Sequence, residues 1–470
     1  MNYDLCIMGG GSGGTAAAIA AGRFGLKTLL VEAADCLGGT SVRAGVSTWE
    51  AGCGGTGIPF DLYRRLQTMP CAVGIYRINR HCCWPEDGFY PGAECLLDSS
   101  LSYPDTLCRH SRGALSYLRP EDKPLIRARW HGVSIEPEAL SQAMTEACRE
   151  TNRVTIRLGV SLDQVETQAG KVQAVRLSDG TRVTATTFID GTGDGALCAA
   201  CGCERHLGRD PRSRYGESGA PETADDQING VSLIFRITPK SVPGIDVPPI
   251  PIPDKCWWRP DFPMASCVQY PDGDFNVNIL PTLEGREYLR LGPDAAYAEC
   301  LRRVYAFWRY WQERFPEWRP YRIRWMAPIL GVRESYRVVA ETMLTQHDLE
   351  AGLRRQTQPD LIALNDHPCD VHGGGEGGTT GVTSAYGVPF RCLIPKGWTN
   401  LLIASKAAGM SAQAASSCRL TRVILTLGQA AGTAAALAHE TGVSVARVDP
   451  EALRQWLREQ GVQSSSPDIG

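Results

Sequence analysis

Three glycines at the spacing Gly9-x-Gly11-x-x-Gly14, followed by an acid at Glu32, are the first residues in this chain that could do chemistry. The first such glycine permits a tight turn. The second lets the backbone approach a pyrophosphate, and the third lets a helix pack closely on a strand. Ser12 and Gly13 fall where the bare N–H groups of a helix N-terminus would meet phosphate oxygens. Glu32, with Ala33 after it, is placed to accept hydrogen bonds from a ribose diol. A further glycine pair, Gly38-Gly39 before Thr40, follows the acid and favours FAD, because a longer dinucleotide meets the chain again. Gly191, Thr192, Gly193 and Asp194 form a small-residue turn after a later strand. Gly428, Gln429 and Ala430 open a run without bulky side chains, suited to a helix lying against a flat ring. Its N-terminal end would face the flavin pyrimidine and stabilise the charge of reduced flavin.

A second constellation is Asp370-Val371-His372, followed by Gly373, Gly374 and Gly375. In an extended segment, period-two spacing puts Asp370 and His372 on one face. A histidine exchanges protons near neutral pH, and an adjacent acid can orient it. The competing reading is a histidine that ties down a loop. His367 and His347 lack such surroundings and are expected to be structural.

The elements that must position these groups follow from pattern. Tyr3–Met8 is an apolar run fit for a buried parallel strand. Thr15–Phe24 reads as a helix and Lys27–Glu32 as a second strand, giving the βαβ context that the glycine spacing requires. Ile135–Thr151 reads as a helix, then strands follow at Val154–Leu158, Asp163–Thr167, Lys171–Leu177 and Arg182–Ile189, with a hairpin signal at Asp179-Gly180. Ala295–Phe315 has helical apolar spacing, Leu401–Ala404 is a strand, and Arg422–Thr441 is a small-residue helix. Residues 205–230 read as a polar loop and residues from 461 as a frayed tail.

Composition narrows the classes. With 48 Lys+Arg against 51 Asp+Glu in 470 residues, the net charge of -3 argues against a nucleic-acid binder. An apolar fraction of 43% fills a sizeable core. No run of about 18 uncharged apolar residues predicts a membrane span, and no cationic leader precedes the first strand, so a cytoplasmic chain is expected. The 18 cysteines then read as reduced thiols. Cys198-x-x-Cys201-x-Cys203 and Cys82-Cys83 do not make an iron–sulfur run, and no metal site is expected. A redox disulfide would need a cysteine pair soon after Gly39, where Cys53 stands single. Six of the 11 tryptophans lie between Trp257 and Trp325 and are expected mostly in a core.

Taken together, Gly9–Gly14, Glu32 with Leu37-Gly38-Gly39, Ile189–Gly195, Gly331–Arg337, Val388–Pro395, Asn400–Ala404 and Gly428–Leu437 resemble the FAD-dependent oxidoreductase family of glutathione-reductase-like flavoproteins. The resemblance implies an α/β fold: a Rossmann-type FAD-binding domain on a parallel central sheet, with an inserted α+β substrate or cap domain. The expected division is 1–50, 130–205 and 385–460 for the cofactor and 51–129 with 206–384 for the cap. It also brings Arg333, Glu334, Arg337, Arg391 and Arg419 near flavin or substrate. There they either anchor anionic groups or staple the two domains. Arg333 or Arg391 is the expected anchor of an anionic or polar part of the substrate, beside a catalytic His372–Asp370 pair. Ser405-Lys406 stands where the family carries Gly-Arg, and Tyr336-Arg337 where it carries Arg-Arg. Lysine does not reproduce the arginine fork. The expected activity is hydride movement between a small organic substrate and flavin N5, with the electron acceptor open and an oligomer allowed. The alternatives are an electron-transfer flavoprotein subunit, a tRNA-modifying FAD protein and a FAD-binding scaffold.

Overall fold

The structure is a computed structural model and describes residues 1–77, 92–96, 131–252, 265–373, 378–380, 382 and 384–464. The Cys82-Cys83 pair, Trp257, Gly374, Gly375 and most of the expected 51–129 cap segment lie outside the described residues.

The chain folds as α/β around a central sheet. Its strands are β1 (Asn2–Met8), β2 (Thr28–Glu32), β3 (Val154–Leu158), β4 (Leu162–Gln168), β5 (Lys171–Leu177), β6 (Arg182–Asp190) and β7 (Leu401–Ile403). The path runs β3-β2-β1-β6-β5-β4, with β7 on the other side of β6. Strands β3, β2, β1, β6 and β7 are parallel, whereas β4 and β5 join β6 as an antiparallel meander. Leu5, Cys6 and Ile7 are fully buried, as a strand covered on both faces requires. Met8 pairs with Val31 and with Asp190, and Asp190 pairs with Ile403. The carboxyl ends of four parallel strands therefore stop level. The loops after them meet at one edge, where open α/β sheets bind ligands.

Helix α1 (Ser12–Arg23) begins earlier than its alanine pattern suggests, because Gly13 and Gly14 are already helical. Helix α2 (Pro137–Glu150) and helix α3 (Thr421–Thr441) pack with it. The contact between α1 and α3 is backbone on backbone. A Cβ on Gly428 would stand 2.0 Å from the Gly13 carbonyl oxygen, and one on Gly432 would stand 2.2 Å from that of Ala17.

Two hydrophobic cores are separate. One gathers the central sheet, α1, α2, α3 and residues such as Leu344, Ile362 and Val388. The other is confined to Val231–Leu330. There a four-stranded antiparallel sheet of Phe235–Pro239, Ser266–Gln269, Phe275–Asn278 and Tyr321–Met326 packs on the helix Pro293–Arg314. Trp308, Trp311 and Trp318 fill this core, with Trp311 and Trp318 stacked at 4.9 Å. The second core is narrower than the expected 206–384. Residues 58–67 and much of 344–388 bury their apolar faces in the first core instead. Cys198, Cys201 and Cys203 also pack in or against that first core, and burial pushes the Cys198 and Cys201 thiols up.

Candidate active site

The loops at the carboxyl edge enclose a cavity of about 430 Å³. Gly9, Gly11, Ser12, Gly13, Glu32, Ala33, Gly39, Thr40, Gly191, Thr192 and Gly193 all line it, so the sequence motifs converge. Gly9 adopts φ +96°, and its Cβ would collide with Gly191 at 2.7 Å. Gly14 packs so closely that a Cβ would reach 1.9 Å from the Gly9 carbonyl oxygen. Gly11 differs. The nearest atom to its Cβ position is the Gly191 carbonyl oxygen at 3.7 Å, so this glycine clears cavity space rather than protein contact. Glu32 accepts from the backbone N–H of Gly10 at 2.6 Å and of Ala34 at 2.8 Å, one on each carboxylate oxygen. Each oxygen keeps a lone pair for a hydroxyl. Gly38 is not in the wall; its N–H donates to the Gly10 carbonyl at 2.8 Å and pins the second glycine loop to the first.

Asp190 organises the later turn. It is fully buried and accepts from the Thr192 N–H at 2.9 Å, the Thr192 hydroxyl at 2.6 Å and the Cys198 N–H at 2.8 Å. Burial raises its pKa, against those hydrogen bonds. Asp194 is exposed and outside the wall. The expected flavin contact of Gly428, Gln429 and Ala430 is corrected as well. Gly428 is consumed by the α1 crossing, while Gln429 accepts from the Ile58 N–H at 2.8 Å and donates to Gln460 at 3.0 Å. The first turn of α3, at Thr421 and Ile424, is what lines the cavity. A hydroxyl chain joins the two helix starts, Ser12 to Ser41 at 3.3 Å and Ser41 to Thr421 at 3.1 Å.

A second cavity, of about 130 Å³, shares Thr40, Lys406, Arg419 and Thr421 with the first. His372, Asp370 and Arg333 line it. His372 Nε2 lies 2.9 Å from Asp370 Oδ2, and Arg419 donates to the same oxygen at 2.8 Å. The Asn229 side chain accepts the His372 N–H at 2.8 Å, and Gly230 N–H donates back to the His372 carbonyl at 2.7 Å. Arg333 donates to the Gly230 carbonyl at 2.7 Å and to Ser232 Oγ at 3.0 Å. Burial lowers the His372 pKa; Asp370 opposes it, and Arg333 and Arg419 reinforce it. Asp370 is partly buried, which opposes its charge, yet the His372 hydrogen bond and Arg419 hold it well below the usual carboxylate range. His367, expected to be structural, is buried and lines this same cavity.

Arg391 is in neither wall. It is half-exposed and bound to buried Asp360, Nε to Oδ2 at 3.1 Å, so its expected role as a substrate anchor is corrected to a surface pair. Glu334 and Arg337 are staples: Arg337, fully buried, donates to Glu334 at 2.7 Å, to Asp210 at 3.0 Å and to the Gly208 carbonyl at 2.7 Å. Sequence reasoning missed Thr421 and marked Lys406 only as a departure from the family's Gly-Arg. The signal for Lys406 was its position just beyond β7, at the carboxyl end of a parallel strand. Trp49, Asn276 and Asn278 are brought into the second wall by tertiary packing alone.

The chain belongs to the FAD dependent oxidoreductase family, whose model matches residues 4–457, and FAD is its cofactor. A 43-residue stretch is 54% identical to the mitochondrial dihydrolipoyl dehydrogenase of Schizosaccharomyces pombe; it spans 9% of this chain and 8% of that enzyme. Among solved structures, a geranylgeranyl bacteriochlorophyll reductase-like protein from Thermoplasma acidophilum matches with TM-score 0.47 and 12% identity, over 100% of this chain and 94% of that one. The L-amino acid deaminase of Proteus myxofaciens matches with TM-score 0.43 and 13% identity, over 96% and 92%. Among the described residues, no helix is long and apolar enough to cross a membrane.

Proposed function

We propose that this enzyme oxidises a small organic substrate bound in the second cavity, with FAD held in the first and His372 as the proton acceptor. The reading is carried by one observation. The cavity lined by the glycine motifs and Glu32 shares Thr40, Lys406, Arg419 and Thr421 with one that presents a hydrogen-bonded histidine–carboxylate pair. Bound FAD supplies the acceptor for a hydride, at N5. The chain supplies the rest. Gly9, Gly11 and the N-terminus of α1 receive the pyrophosphate, and Glu32 receives the ribose. Thr40, Gly191, Thr192 and Gly193 close around the remainder.

Removing a hydride from an alcohol or amine carbon builds positive charge there, so a base that takes the departing proton lowers the barrier. His372 suits that role because burial and the two arginines favour its neutral form, while Asp370 fixes one ring nitrogen. Arg333, held by Gly230 and Ser232, contributes positive charge to the wall. The segment Val231–Leu330 serves as a cap, supplying Ser232, Ile234, Ser266 and Asn276 to the substrate side.

Anaerobic flavin reduction by a panel of small alcohols, amines and hydroxy or amino acids tests the reading. At least one class reduces the flavin, and His372→Asn slows that step by about 10²–10⁴-fold with FAD content intact. A rate unchanged by His372→Asn across pH would refute the assignment.

A further inference from the structure

We propose that the second cavity recognises a small substrate bearing a carboxylate group, held by Arg419 and Lys406. This rests on the reading of that cavity as the substrate site. Four cationic side chains line it, Arg333, Lys406, Arg419 and Arg422, against the carboxylates of Glu50 and Asp370. Asp366 lies 3.2 Å from Arg422, both are buried, and Arg422 also donates to the Cys53 carbonyl, so its charge is matched one to one, although its Nε too has no hydrogen-bond partner among the described residues. Arg419 shares its acid, Asp370, with His372. It gives one terminal nitrogen to Asp370, while its buried Nε has no hydrogen-bond partner among the described residues.

Lys406 donates to the Gly193 carbonyl and to Ser335 Oγ, which leaves the third hydrogen of the ammonium group. Among the described residues no carboxylate forms an ion pair with it. The charged groups that act on it are Asp194, Glu334 and Arg419. Burial outweighs the two acids and pushes the ammonium down to about 8. Both residues also line the cofactor cavity, so an anion held between them sits at the junction.

A carboxylate answers both deficits. It accepts charge-assisted hydrogen bonds from a guanidinium and an ammonium at once. It also offsets the excess of cations over Glu50 and Asp370. It has a consequence for the base, because Arg333 and Arg419 both lower the His372 pKa. An arriving anion screens that repulsion and strengthens His372 as a proton acceptor at the moment the substrate is in place.

The test uses the FAD-loaded protein titrated with benzoate and with the isosteric neutral benzamide, followed by saturation-transfer NMR and by the flavin visible band. Benzoate is expected to bind at least about tenfold tighter than benzamide, and Lys406→Met to erase about tenfold of that affinity. Lys406→Arg, which keeps the cation, retains most of it. Arg419→Met has the same sign of effect. Should that variant misfold by stranding Asp370, Lys406→Met leaves no ion-paired partner behind and carries the test.

Between pH 7 and 9 the wild-type affinity for benzoate falls through about 8, whereas that of Lys406→Met stays level. Equal affinity for the two probes, no binding of either, or indifference to both substitutions overturns the proposal. Loss of FAD from Lys406→Met also overturns it and moves Lys406 to the cofactor. These failures are separable from failure of the hydride reading. Reduction only by neutral substrates defeats the carboxylate and spares His372. An unchanged His372→Asn rate with intact benzoate binding does the reverse.

Discussion

The two adjoining cavities are made of different material. The first cavity takes much backbone into its wall: Gly9, Gly11, Gly13, Gly39, Gly191 and Gly193 come from the loops and the helix start that follow parallel strands. The second cavity is walled by side chains, Arg333, Asp370, His372, Lys406, Arg419 and two asparagines, delivered from segments far apart in the chain. A backbone wall demands small residues at set spacings and tolerates no substitute. A side-chain wall demands only that certain groups arrive, by whatever route. The first kind of site is therefore sensitive to volume and the second to charge and protonation.

The sharpest way to break the comparison is to add volume. Gly428→Leu drives a side chain into the Gly13 carbonyl, 2.0 Å from where its Cβ would stand, and should abolish soluble folded protein. The cost of such overpacking is about 3 kcal/mol or more, and thermal melting reads it. Gly11→Val is the informative contrast. Its Cβ meets nothing nearer than 3.7 Å, so the chain should fold and melt like the wild-type apoprotein. It should lose about a hundredfold in FAD affinity, measured as flavin per protein after dialysis. Loss of folding in this variant would mean that Gly11, like Gly428, serves packing.

The second cavity should respond instead to pH. His372 is held below its ordinary value, so its neutral form prevails at neutral pH and the acidic limb of kcat/KM should lie below about 6.5. Asp370→Asn removes the hydrogen bond and charge that raise it, so the limb should move to still lower pH, with a plateau about tenfold lower from lost orientation. Linkage has the same sign. Between the folded value and about 6.5 the unfolded chain binds the proton more readily, so this group's contribution to stability increases as pH rises through that window. An acidic limb that moved upward would show that another group titrates. The smallest effect belongs to Arg391→Met. It removes a half-exposed partner from Asp360, which keeps the Arg391 backbone N–H at 3.0 Å. About 1 kcal/mol or less of stability should go, with flavin content and turnover unchanged. Weaker substrate binding would restore Arg391 to the site.

The same distinction explains what could be read from sequence. Gly9, Gly11, Gly14 and Glu32 were legible because a tight turn, a close approach and a helix contact each exclude other residues. His372 and Asp370 were legible because they are neighbours on one short strand end. The Gly428–Ala430 segment misled, since closeness to a flat ring and closeness to another helix ask for the same small residues. Arg391 misled because an arginine in the right segment can face away from the site. Arg419 bonding to Asp370, and Asn229 bonding to His372, bring together residues with no local pattern to announce them.

The crossing of α1 and α3 sets an order of events in synthesis. Residues 12–23 emerge well before residues 421–441, yet the face they present is covered by that later helix, and both cavities take part of their wall from Arg419 and Thr421. A ribosome moving at about 5–20 residues per second needs on the order of 20 seconds or more to reach the later helix. Through that interval Gly13, Ala17 and the β1–β2 unit wait with an uncovered apolar face. Neither cavity can close during the interval, so stable capture of the dinucleotide falls after nearly all of this sequence has been translated. A nascent chain arrested before residue 419 should accordingly retain no flavin, however complete its glycine turn.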